Sequence, residues 1–586
     1  RGSTATYWDG HTTTKADENL LKRSSEFNDV FWAKGNTTVT ANATTAPDGT
    51  TTADKLLDND QNQQHNIDSQ LAVSSTNIQV FSVYAKGNGE GRYLKLYGWG
   101  LGSQEEAPVF DVDNGVLYNP PTSVYFLGAT ITDVGNGWYR CTLKADTDGG
   151  SGSPAIAMTN ATDAHGTESY VGDGSGFFIW GAQLETRESV TAFTATTSQP
   201  IVKYQQTLQT AASGEARFDH DPVTRESKGL LIEEARTNAN TDSDAYGSWS
   251  SSNVYNFGDN GIAPDGTNKA QFQGIVSTTN TIYRYIDYGG STGYRTFSIF
   301  AKDAGDVGSG YALVRIGEET SPSKRYGIIV DLSDGSVTAE ESANSPANTS
   351  YQVDNIGNGW YRIALTLNSG STSNFRIAIA PYGNSTWSSE GGSVLTPNNA
   401  GGTVGTGVLF WGTQVEAGGF PTSYIPTSGS TVTRSLDNAV YYNVDSVVAS
   451  SKGTAFIDWI QGGSSGSQHY IFRFESSTGD GLAIFYDDPM VYGTNYSVSN
   501  SGTVTTYTTS LQAALAYSQE DSIYRHAANG TLGSDDDQFY DAYYGAEDLF
   551  LGGLNATQGR SQVYIKKFAF YPQRLSDATL QAMTEE

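Results

Sequence analysis

Little in this 586-residue chain stands in a pattern that catalysis requires. Gly462-Gly463-Ser464-Ser465-Gly466 has the Gly-x-Ser-x-Gly spacing of a nucleophile elbow. Such an elbow needs a strand before it and a helix after it, so that a strained turn holds the hydroxyl out. Here the five residues read as a low-complexity loop between strand-like stretches, and the match is taken as coincidence. Three acidic clusters could offer oxygen donors to a hard cation: Asp58-Asn59-Asp60, Asp219-His220-Asp221 and Asp535-Asp536-Asp537. Solvated acidic turns are commoner than calcium loops, so no cofactor is expected, with structural calcium the one exception left open. His11, His65, His165, His469 and His526 have no ligand spacing between them, which argues against zinc.

The aromatic residues say more. Trp138 and Trp360 each lie in a Gly-Asn-Gly-Trp-Tyr-Arg stretch, where an indole could stack on a pyranose or close the end of a core. Retention of the whole surrounding strand favours packing. Trp180 and Trp411, flanked by apolar residues, are stronger core positions still. Arg140 and Arg362, which follow in the motif, are expected to pair with carboxylates or stack on the neighbouring indole. Glycan contacts are sought where aromatic residues lie in polar, Gly-rich loops: Trp99 in YGWGLGSQ, Trp387 in GNSTWSSEGG, and Tyr543 with Tyr544 in FYDAYYGAED. The same side chains would equally suit a subunit interface.

A duplicated unit positions these residues. APDGT occurs at Ala46–Thr50 and again at Ala263–Thr267, and VFSVYAKG from Val80 corresponds to TFSIFAKD from Thr296. The Trp138 and Trp360 motifs follow, and FFIWGAQLE from Phe177 then pairs with VLFWGTQVE from Val408. Matches in one order over so long a span mark a repeated domain. Each matched segment alternates with period two, as a half-buried strand does. Phe81, Val83 and Ala85 share a face, as do Phe297, Ile299 and Ala301. Tyr139, Cys141 and Leu143 match Tyr361, Ile363 and Leu365, so the single cysteine reads as a buried hydrophobe.

Composition agrees. Gly is abundant (66), Met is scarce (3), and Tyr and Phe are frequent (35 and 24), which suits short strands and tight turns. Charged residues make up 17% of the chain, with a net charge of −29 that would repel nucleic acid and anionic membranes. No apolar run approaches the roughly 18–20 residues of a membrane span, so membrane insertion is not expected. The chain begins at Arg1 with a joint-like RGSTATYWDG, and is expected to continue a longer or processed polypeptide.

Between the repeats lies RFDHDPVTRESKGLLIEEARTN (Arg217–Asn238), which reads as an ordered connector with one short apolar strand, Leu230–Ile232. It resembles a connector of tail and other structural proteins of tailed bacteriophages. There it precedes a module ending in a WGAQLE…PTSYIPT…TR pattern, present here as Trp411–Glu416, Pro421–Thr427 and Thr433-Arg434. The first copy has Trp180–Glu185, but its tail, RESVTAFTATTSQP, departs from that form. The last module is similar to concanavalin A-like or laminin G-like domains through LFLGG (Leu549–Gly553) and KKFAFYPQRLSDATL (Lys566–Leu580). Glucanases of that fold carry Glu-x-Asp-x-x-Glu on one strand, and no Glu-x-Asp occurs here.

The expectation is thus an all-β chain of tandem antiparallel β-sandwiches. It divides into an N-terminal joint (1–25), a first jelly roll (26–199), a connector (200–240), its duplicate (241–425), a joint (426–440) and a laminin G-like sandwich (441–586). Ser576 is expected to cap a short terminal helix. The resemblance implies a non-enzymatic virion protein on a tail or capsid surface, extracellular when mature. Its implied partners are other virion proteins and a host-surface glycan, and the implied assembly is a homo-oligomer, most simply a trimer. Decoration of a capsid is the alternative; a polysaccharide depolymerase is a more distant one.

Overall fold

The computed structural model describes residues 2–71, 73–74, 78–98, 107–118, 126–146, 151–161, 169–276, 283–289, 292–305, 308–318, 324–344, 347–369, 374–386, 403–448, 451–464, 469–475, 481–487, 490–495, 498–500, 511–521, 523–533, 547–553 and 561–585. The alternation read from sequence becomes two facing sheets in each copy. One sheet of the first copy runs, in hydrogen-bonded order, Phe126–Gly135, Trp138–Asp146, Ile78–Lys86, Gly176–Glu185, Ala53–Asp58, Thr37–Thr44. Its counterpart in the second copy runs Ala347–Gly357, Trp360–Ser369, Gly293–Asp303, Gly407–Ala417, Ala270–Ile275, Val254–Gly261. The order is the same, all pairs are antiparallel, and the opposing six-stranded sheets also match strand for strand. Phe81, Val83, Cys141 and Leu143 are buried in the first core, and Phe297, Ile299, Ile363 and Leu365 in the second. Burial also pushes the Cys141 thiol pKa up.

The repeated Gly-Asn-Gly stretch is the turn between two paired strands. Gly135, Asn136 and Gly137 have φ of 88°, 53° and 74°, and Gly357, Asn358 and Gly359 have 87°, 50° and 77°. Three successive left-handed residues are tolerated by glycine and, of the other types, best by Asn.

The third sandwich has a seven-stranded and a six-stranded sheet. Two strands of the larger one, Phe218–His220 and Ser227–Ile232, come from the connector, and the second pairs with Ser561–Tyr571 through Leu230↔Ile565. The connector is therefore part of the third sandwich. Ile232 is buried in that core because its side chain completes the apolar face of the sheet. The expected joints are structured too. Ala5–Asn19 forms a two-stranded ribbon with Ile201–Ala211, and Val432–Arg434 pairs with Arg236–Asn238. The terminal helix, Asp577–Met583, starts at Ser576, whose hydroxyl accepts the Thr579 N–H, and buries Leu580.

A buried ionic network holds these pieces together. Glu233 accepts from Arg217 (2.8 Å) and Arg434 (2.5 Å), all three side chains having no exposed surface. Its carboxylate also accepts the N–H (2.8 Å) and hydroxyl (2.5 Å) of Ser423 and the amide of Gln562 (2.9 Å). Arg217 reaches further, to the Thr6 carbonyl (3.0 Å) and to Asp437. Burial alone would raise the Glu233 pKa, but Arg434 and Arg217 outweigh it and hold the carboxyl at about 2. Nearby, burial pushes Asp219 up to about 6, against the Trp8 N–H that it accepts at 2.7 Å.

Two outcomes follow from these groups. Glu233→Ala leaves the Arg434 guanidinium buried without a counter-charge and Arg217 with Asp437 alone, and is expected to cost about 3–5 kcal/mol, read by urea unfolding; an unchanged midpoint would show the network to be dispensable. The pH dependence has two opposing parts. The lowered Glu233 contributes stability that is complete above its ordinary value of 4.5 and fades as pH falls toward 2. The raised Asp219 contributes stability that is complete below its ordinary 3.8 and is lost as pH rises through about 6. Asp219→Asn, which keeps an acceptor for Trp8, is expected to remove the second part, so its stability relative to wild type rises between pH 4 and 7.

Candidate functional site

The four loop residues expected to meet a glycan, Trp99, Trp387, Tyr543 and Tyr544, lie outside the described residues, as do His165 and Asp535-Asp536-Asp537. Trp138, Trp180, Trp360 and Trp411 are all buried, yet none belongs to the apolar cluster inside its own sandwich. They join one cluster that also contains Tyr84, Phe193, Phe300 and Tyr424, together with Trp8 and Leu208 of the ribbon. Parity explains this: Trp180 follows Ile179, and Trp411 follows Phe410, whose side chains point into the cores. The tryptophans therefore lie on outward sheet faces and are covered where the copies meet. Asn136 of the first turn donates to the Val404 carbonyl of the second copy (3.1 Å).

The two copies build this seam alike. Trp180 lies 4.7 Å from Phe193 and Trp411 lies 4.6 Å from Tyr424, between ring centroids. Arg140 stacks over Tyr84 at 5.2 Å and Arg362 over Phe300 at 5.5 Å, so the guanidiniums use the adjacent strand's ring and not the neighbouring indole. The first copy's tail, divergent in sequence, occupies the same arrangement as the second's. Thr191 donates to Glu185 as Thr422 does to Glu416, both at 2.5 Å, and the Thr194 and Ile425 N–H groups reach Gln183 and Gln414, both at 2.6 Å. Asn19 and Asn238 clamp the two tails through the carbonyls of Thr194 (2.9 Å) and Ile425 (2.9 Å).

The chemical candidates dissolve into structure. Gly463 of the Gly-x-Ser-x-Gly match lies inside the strand Lys452–Ser464, and a side chain there would collide with the Phe420 ring of the second copy. Asp58 is engaged by Arg92 (2.7 Å), the Tyr170 hydroxyl (3.0 Å) and the N–H groups of Asp173 and Gly174. Asp221 caps its own turn through the N–H groups of Val223 and Thr224. Among the described residues no cluster of three or more His, Cys, Asp or Glu side chains could hold a metal.

What sequence reasoning missed is a cleft of about 470 Å³ where the ribbon, the connector, the second copy and the third sandwich converge. Tyr7 and Trp8 line it from the ribbon, Tyr424 from the second copy and Tyr564 from the third sandwich. Polar groups alternate with these rings: Asp219 and Lys228 of the connector, Gln352, Asp354 and Arg362 of the second copy, and Gln562. Planar amides, carboxylates and a guanidinium beside aromatic faces can hydrogen-bond a polyol's hydroxyls while the rings cover its C–H surface. The one sequence signal for this place was indirect. In a charge-poor chain, Arg217, Glu233 and Arg434 all fall inside the connector and PTSYIPT…TR patterns.

No protein-family model matches the chain, and no curated protein matches it. Among solved structures, it is similar to the CBM40 module of the Ruminococcus gnavus IT-sialidase (19% identity, 26% of this chain, 95% of that chain, TM-score 0.22). It is also similar to domains LG4-5 of the mouse laminin alpha1 chain (8% identity, 51% and 92% covered, TM-score 0.16). A third is the CBM22 tandem domain of Paenibacillus barcinonensis Xyn10C (13% identity, 69% and 98% covered, TM-score 0.18). Likenesses of this size carry over no ligand, and the assignment as an all-β chain of antiparallel sandwiches rests on its own sheet order.

Proposed function

We propose that the chain is a non-catalytic attachment protein of a tailed-phage virion, in which fused sandwiches present a site for a host-surface glycan. The observation that carries the glycan reading is the cleft, with rings from three parts of the fold and hydrogen-bonding side chains between them. Its volume falls in the ordinary range for small-ligand pockets, about 300–1,000 Å³. The virion placement is supported by the connector and PTSYIPT…TR resemblance alone. A homotrimer assembled with other virion proteins would multiply weak single-site contacts into firm adhesion.

The test is saturable binding of the full chain to host cells, competed by purified host polysaccharide, without release of reducing sugar. Loss of binding on Trp99→Ala, Trp387→Ala or paired Tyr543→Ala and Tyr544→Ala would move the contact from the cleft to the loops. Sugar release would overturn the non-catalytic reading. Virion electron microscopy that finds the chain flat on capsid faces, in icosahedral copy number, would replace attachment with capsid decoration.

A further inference from the structure

The two copies supply an internal comparison for one residue. In the first, Arg140 is fully engaged: Nη1 donates to the Thr191 carbonyl (2.7 Å), and Nε (3.3 Å) and Nη2 (3.0 Å) donate to Ser82 Oγ. In the second, Arg362 keeps only the bond from Nη2 to Ser298 Oγ (3.0 Å) among the described residues. Its Nε is buried without a partner, and among the described residues no carboxylate lies within ion-pair distance. The side chain is half-buried and lines the cleft. A guanidinium cannot shed its proton, so its desolvation is offset only by a counter-charge or by hydrogen bonds.

The rest of the cleft is arranged the same way. Lys228 is half-buried, lies 5.7 Å over the Tyr564 ring and makes no ion pair among the described residues. The cleft's carboxylates, by contrast, already have donors. Asp219 accepts the Trp8 N–H, Asp221 the Val223 and Thr224 N–H groups, and Asp354 takes both its bonds from Gln352 (3.1 and 2.8 Å). The acids are supplied by hydrogen bonds from within the fold; the two cations feel carboxylates only beyond ion-pair distance, Lys228 those of Asp219 and Asp221 and Arg362 those of Glu416, Asp354 and Glu233.

We infer that the cleft takes a saccharide bearing a carboxylate, with Arg362 and Lys228 holding the carboxylate and Tyr7 and Tyr564 covering the sugar ring. Arg362 matches a carboxylate's two oxygens with paired N–H donors, which selects an acidic sugar over its neutral counterpart. The inference rests on the glycan reading and adds the class of ligand.

Calorimetric titration of the full chain with a glucuronate-containing disaccharide and with the corresponding neutral glucose disaccharide tests it. The acidic sugar is expected to bind at least about tenfold more tightly. Arg362→Gln is expected to bring the two affinities to within about twofold of each other, with Lys228→Met reducing the preference in a second, independent variant. Equal affinity for both sugars, or a preference that survives in both variants, would overturn the inference while sparing the glycan reading. Binding of neither sugar would overturn both.

Discussion

A single carboxylate, that of Glu233, lies where the ribbon, the second copy and the third sandwich meet. Arg217 brings the ribbon to it, Ser423 the second copy, Arg434 the segment leading out of that copy, and Gln562 the third sandwich. Removing ions from water is costly, and such a group is retained only when geometry satisfies nearly all of its lone pairs. That requirement makes the network selective: a shift of any one piece leaves a buried charge unmatched. The aromatic seam supplies apolar burial between the copies, while the ionic network fixes the second copy against the ribbon and the third sandwich.

The network also explains the signature residues. Arg217, Glu233, Ser423 and Arg434 are charged and hydroxyl members of the connector and PTSYIPT…TR patterns, and here they meet at the Glu233 carboxylate. Arg236 makes the same point at a neighbouring position. Its guanidinium occupies the space a side chain at Gly418 would need, and stacks 4.9 Å over Phe420. In the first copy Arg187 stands at the position equivalent to Gly418 and meets Glu185 at 3.3 Å. A basic group is thus kept near the same place although its origin in the chain has changed.

Much of the fold was legible because strand periodicity is local. The duplication, the inward faces of Phe81 and Cys141, and the Ser576 cap are all read within a few residues. The same period puts Trp138 on the face opposite Cys141, although its sequence context reads as core; periodicity does not say whether an outward face meets water or protein. The seam was illegible for that reason: its members are apolar residues on outward faces, explained only by the partner copy. The cleft was less legible still, since Trp8, Asp219, Arg362 and Tyr564 lie on segments that only the assembled sheets bring together. Loop composition pointed instead to Trp99 and Trp387, where no distant partner is required.

The strand Ser227–Ile232 has a consequence for synthesis. It is made before the second copy, yet its partner Ser561–Tyr571 is made only after that copy is complete. The second copy is in effect a domain inserted into the third, closed at its neck by Arg236–Asn238 against Val432–Arg434. Domains fold as units, early ones first, and pairings distant in sequence form late. The inserted copy can therefore fold while its host is unfinished, and its closed neck delivers the waiting strand and the rest of the chain to one place. Order of emergence, and not only final stability, is written into where the insertion falls.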